Sequence, residues 1–178
     1  MTAFERTNRL PGARLRAPSD VEVANRAFGA NCGPAAFAAV LSLQVCDVMQ
    51  YFTHFEMRRF TTTRDMLQAL AACSIEFTVE TDVPDFGMLL LQIDGPWTTR
   101  RGANRWSRKY SHWIATCSQH VYDINVGCWM PLSDWQESIM PALVDATRYA
   151  TGWSVARSVR VLEQSFSPEE AVPGLCFG

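Results

Sequence analysis

Residues 32–41 read CGPAAFAAVL, with no charged side chain among them. Wound into a helix, this stretch is apolar or small on every side, so the helix must be enclosed rather than laid on a surface. That demand constrains the whole chain, because other elements have to surround it. The local signals agree with a helix. Asn31 stands where an N-cap is wanted, Pro34 falls in the first turn where its missing N–H costs nothing, and the alanines favour helix and allow close approach. A chain of 178 residues with 48% hydrophobic and 19% charged side chains can supply the surrounding core and is not disordered.

Further helices are expected at CDVMQYFTHF and at TTTRDMLQALAAC, the latter with a threonine cap and Met66, Leu67, Leu70 and Ala71 at helical spacing. The period then changes. IEFTVE alternates as a strand does, FGMLLLQIDG reads as a central strand, and SHWIATC and HVYDINVGCW flank a short SQ turn as a hairpin. PLSDWQESIMPALVDA reads as a helix capped by Ser133, and WSVARSVRVLEQ as a last strand. Helices followed by a mostly antiparallel sheet give an α+β fold. The domain expected is 21–164, with a mobile, Arg-rich arm over 1–20 and a loose tail over 165–178. The start of the chain has no apolar segment of a secretory signal, and no stretch reaches the length of a membrane span. The expected compartment is the cytoplasm, with export by a dedicated machinery left open.

The net charge of −2 gives no general basic field of the kind that draws nucleic acid. The six cysteines include no CxxC pair, and most read as small buried hydrophobes in a reducing compartment. Cys117, His120 and Cys128 offer only three metal ligands at irregular spacing, so no metal or other cofactor is expected.

Cys32 differs from the other cysteines. It opens the enclosed helix, where the partial positive charge of the helix terminus favours a thiolate and unpaired N–H groups can hold a developing oxyanion. A nucleophilic thiol also needs an imidazole and a group to orient it. Of the three histidines, His54 lies in an amphipathic stretch and His120 at the hairpin turn, whereas His112 opens a strand that can face the helix. If SQ is a two-residue loop, Asn125 lies opposite His112 and Asp123 one diagonal step away, both on the histidine's face; a three-residue loop reverses that.

Taken together, NCGPAAFAAVL, HWIATC and VYDIN resemble the papain-like cysteine peptidase superfamily, closest to the bacterial C39-like group, over residues 25–146. The resemblance implies a papain-like fold with the nucleophile helix packed on the sheet. It also implies amide hydrolysis through an acyl-enzyme, on a protein or peptide substrate. By position it makes Cys32 the nucleophile, His112 the base and Asp123 the orienter, with Asn125 the alternative orienter. The glutamine that relatives place about six residues before the nucleophile is replaced here by Arg26, leaving Asn25 and Asn31 as side-chain candidates for the oxyanion hole. A deamidase or transamidase, and a non-catalytic binding or effector protein on the same fold, are the alternatives. Ahead of His112, GPWTTRRGANRWSRKYSHW carries Arg100, Arg101, Arg105 and Trp106, either as a solvated connection or as a substrate loop for an acidic or extended partner.

Overall fold

The computed structural model describes residues 15–98 and 110–162. Its first helix, α1 (Val21–Phe28), closes at Gly29, whose φ of 67° is the left-handed conformation glycine adopts at low cost. The enclosed helix is α2 (Cys32–Leu41), and every residue from Gly33 to Leu41 is buried. Its N-cap is Asn31, as expected, and Ser42 in the left-handed region ends it. Short turns follow at α3 (Val45–Val48), a 3-10 turn (Met49–Tyr51) and α4 (Phe55–Arg58). Helix α5 (Thr63–Ala72) starts at a capping box in which Thr62 and Asp65 satisfy each other's backbone N–H groups.

Six strands form one antiparallel sheet: β1 (Phe77–Glu80), β2 (Phe86–Asp94), β3 (Ser111–Cys117), β4 (His120–Asp123), β5 (Cys128–Pro131) and β6 (Gly152–Val161). Their order in space is β1-β6-β2-β3-β4-β5, so the last strand enters between the first two. Strand alternation splits the core in two. Met88, Trp113, Ala115, Tyr122 and Trp129 face α2 and its neighbours, while Leu89, Leu91, Ile114, Val121 and Met130 face Trp135 and Met140 on the other side. The continuous apolar run of β2 is explained by this arrangement, since both of its faces are covered. The α+β expectation therefore holds, with an antiparallel sheet between two helical layers. No single helix among the described residues is long and apolar enough to cross a membrane.

Several local expectations need correction. VEVANRAF, to which the sequence pattern assigns no element, is a helix. HVYDINVGCW is two strands, because the chain turns at 124–127 with Gly127 at φ 73°. Ser133 caps nothing. The helical segment starts after Pro131 as α6 (Leu132–Asp134), widens into a π-helical turn over Trp135–Ile139 and resumes as α7 (Met140–Asp145). Residues 15–20, placed in the arm by the sequence, are packed on the body. Leu15 is buried, Ser19 bonds the Gln44 side chain, and both carboxylate oxygens of Asp20 accept from the backbone N–H groups of Val45 and Cys46. The tail over 165–178 lies outside the described residues.

One contact fixes the start of α2. A Cβ built on Gly33 would stand 2.1 Å from Thr61 Oγ1 and 2.4 Å from Thr61 Cβ. Thr61 is itself held by the Trp113 indole, whose Nε1 donates to its carbonyl at 2.9 Å. Gly33→Ala therefore forces the buried Thr61 away from the helix. The expected cost is about 1–3 kcal/mol, as for other overpacked sites. A denaturant midpoint unchanged from the native protein would show that the segment yields freely.

Candidate active site

Cys32 is the first residue of α2, and the Asn31 side chain sets the geometry there. Its oxygen accepts from Gly33 N at 3.2 Å, and its nitrogen donates to the carbonyl of Arg59 at 2.8 Å. His112 is the second residue of β3, paired with Leu91 of β2. Asp123 is the last residue of β4. The Ser118–Gln119 turn joins the hairpin in the two-residue form, with Cys117 opposite His120 and Ala115 opposite Tyr122. Continued, this register sets Asn125 across from His112 and Asp123 across from Ile114. The side chains meet accordingly: His112 Nε2 lies 3.0 Å from Asp123 Oδ1.

The route from helix to histidine differs from the expected one. Trp113 and Ala115 belong to the face of β3 that packs on α2, and Ile114 to the opposite face. By alternation His112 shares the side of Ile114. The imidazole thus does not reach α2 through the packed middle of the sheet. It approaches Cys32 around the end of β3, where the strand begins, near enough for the thiol to favour the charged form of the ring. With Nε2 turned to Asp123, the other ring nitrogen, Nδ1, is the one left for sulfur.

Asp123 is fully buried, and its carboxylate is satisfied from three directions. Oδ1 also accepts the backbone N–H of Asn125 at 2.8 Å, and Oδ2 accepts the Trp135 indole N–H at 2.9 Å. Burial pushes this carboxyl up, but the hydrogen bond and positive charge of His112, with the two N–H donors, outweigh it and hold it below the usual range. His112 mirrors this. Burial disfavours its charged form, yet the bonds to Asp123 and Cys32 win and raise it to about 10. Such a ring is an imidazolium at neutral pH. Asn125 is exposed, and its Nδ2 lies 3.5 Å from His112 Nε2. Two nitrogen donors at that distance form no hydrogen bond while Nε2 carries its proton. Asp123, not Asn125, is thus the residue bonded to the ring, and Asn125 reaches Asp123 through its backbone N–H.

The side-chain candidates for an oxyanion hole are otherwise engaged. Asn25 is exposed and donates its amide to the carbonyl of Ala30 at 2.8 Å, which pins the loop ahead of α2. Asn31 is committed to the cap and to Arg59. Arg26 points to solvent and pairs with Glu22. The donor that remains is the backbone N–H of Cys32, which has no acceptor among the described residues.

His54 is exposed, and His120 lies in the β3–β4 hairpin, paired with Cys117 and Pro131. Arg100, Arg101, Arg105 and Trp106 lie outside the described residues. Among those described, no group of three or more His, Cys, Asp and Glu side chains could hold a metal ion. Cys46 and Cys73 are held as thiols. Burial raises both, and the carboxylate of Asp20 helps carry Cys46 to about 11. Sequence reasoning missed two contributors, Trp135 and Thr61. The tryptophan after the β5 turn was a visible signal, because a buried indole needs an acceptor. Compared with known proteins, the chain matches no family model, no curated protein and no solved structure.

Proposed function

We propose that this chain is a papain-like cysteine hydrolase that cleaves amide bonds through an acyl-enzyme. The observation that carries the reading is the His112 ring, held between a buried carboxylate and a thiol at the first residue of a helix. Cys32 sulfur attacks the carbonyl carbon, forming a C–S bond as the C=O electrons move to oxygen, which the Cys32 N–H faces. His112 gives its proton to the amine nitrogen as the C–N bond breaks. Water then attacks the thioester, His112 takes the water's proton, and the acid leaves as the thiolate reforms. Asp123 keeps the ring oriented and its positive charge stabilised throughout.

The second reading is a papain-like binding protein without turnover. It is favoured by the engagement of Asn25 and Asn31, which leaves the Cys32 N–H as the donor for the oxyanion among the described candidates. The discriminating measurement is iodoacetamide alkylation of the native protein, followed site by site by mass spectrometry. On the hydrolase reading Cys32 reacts at least about tenfold faster than Cys46 or Cys73 at neutral pH, since only a thiolate is nucleophilic. Equal rates at the three sites would favour the second reading.

The pH dependence has a definite sign. A histidine raised from 6.5 to about 10 adds stability that is complete below pH 6.5 and is lost as pH climbs through about 10. The same proton is the one given to the leaving amine. Hydrolysis should therefore persist into mildly alkaline solution, with its alkaline limb near pH 10, and Asp123→Ala should move that limb downward. A limb near 6.5 in the native protein would mean that the ring is not held as an imidazolium.

A further inference from the structure

Beside the candidate dyad, the segment joining α4 to α5, the middle of β2 and the start of β3 enclose a groove of about 320 Å³, at the lower end of the range for ligand sites. Arg58, Phe60 and Arg64 stand on one wall, Leu90 and Ser111 on the other. Two of its residues tie it to the dyad. Thr61 lies against Gly33, the neighbour of Cys32, and Ser111 directly precedes His112. A chain crossing Cys32 has this groove at its side.

The lining charges have one sign. Among the described residues, both ionisable side chains on the walls are arginines, and no acid lines the groove with them. Asp65, which does not line the groove, pairs loosely with Arg58 through Oδ1 at 3.8 Å, while its Oδ2 accepts the backbone N–H and hydroxyl of Thr62. Arg64 is exposed and makes no hydrogen bond or ion pair among the described residues. It stands in the first turn of α5, where the helix terminus disfavours a cation. The fold gains nothing from a cation there, whereas an incoming anion would gain from both the guanidinium and the terminus. Phe60, 41% exposed, adds an apolar platform beside them.

From this placement we propose that the groove receives a carboxylate side chain, Asp or Glu, of a peptide substrate close to the amide that Cys32 attacks. The inference rests on Cys32 as the nucleophile, and its test separates the two. Peptides that differ only in Glu, Gln or Lys at one position are made in two forms. One carries a C-terminal vinyl sulfone and is read as the labelling rate at Cys32. The other is fluorescent and unreactive, and is read by anisotropy with the Cys32→Ala protein. Scanning the varied position along the peptide, Glu should exceed Lys by about tenfold at one place in both readouts, as for a partly solvated charge-assisted contact. Arg64→Glu should abolish or invert that ratio, and this variant places an acid where the α5 terminus favours one. Cys32 labelled without charge preference, or a ratio indifferent to Arg64→Glu, overturns the groove assignment and leaves the hydrolase reading standing. Charge-selective binding with an inert Cys32 overturns the hydrolase reading and leaves only the preference of the groove for a carboxylate.

Discussion

On the proposed hydrolase reading, Cys32→Ala and His112→Ala are each expected to lower thiol-dependent amide hydrolysis by about 10⁴-fold or more, and the double variant to be no slower than either, because a nucleophile and its base act as one unit. The two single variants differ in stability. Cys32→Ala removes a partly buried sulfur and should melt near the native protein. His112→Ala leaves the carboxylate of Asp123 fully buried without its cationic partner, which costs about 3–5 kcal/mol. Turnover must therefore be measured well below each variant's melting point by circular dichroism. Full activity in His112→Ala would pass the role of base to His54 or His120, and nothing in their positions supports that.

Asp123→Ala should slow turnover by about 10³–10⁴-fold, the scale on which orienting carboxylates act. It also strips the acceptor from three donors: the His112 ring, the Trp135 indole and the Asn125 backbone. Two readouts keep the catalytic loss apart from simple unfolding. Trp135→Phe removes one of those donors while keeping most of the aromatic packing, and should cost about tenfold in rate. Asn125→Ala keeps the backbone donor and should cost less than about threefold. If Asp123→Ala stays within tenfold of native activity in folded protein, the carboxylate is a structural anchor for Trp135 and nothing more.

The parts of this arrangement that depend on short-range chemistry were legible in the sequence. The Asn31 cap, the Thr62 cap and the enclosed helix follow from residues adjacent to one another. The two-residue turn made the register of His112 and Asp123 a matter of counting. What escaped depended on tertiary placement. Alternation sends His112 to the side away from α2, and only the position of the strand's end shows how the thiol still reaches it. The fates of Asn25 and Asn31 were set by backbone carbonyls, those of Ala30 and Arg59, that no side-chain pattern announces. The π-helical turn at Trp135 aims the indole at Asp123, and helical periodicity gives no sign of it.

The position of β6 between β1 and β2 has a consequence for how the molecule comes into being. Strand β1 has no other partner in the sheet, and β2 has an open edge until β6 arrives. Cys32, His112 and Asp123 are all translated before Gly152, yet the sheet that aligns them is completed only by residues 152–161. At about 5–20 residues per second, a ribosome emits that last strand some seconds after the histidine. The β3–β4 hairpin that joins His112 to Asp123 is complete before that strand appears, whereas β1 has no partner and β2 an open edge until it does. A nascent chain would thus expose the edge of β2 for those seconds, and the order of strands makes the last one translated the one that seals the sheet.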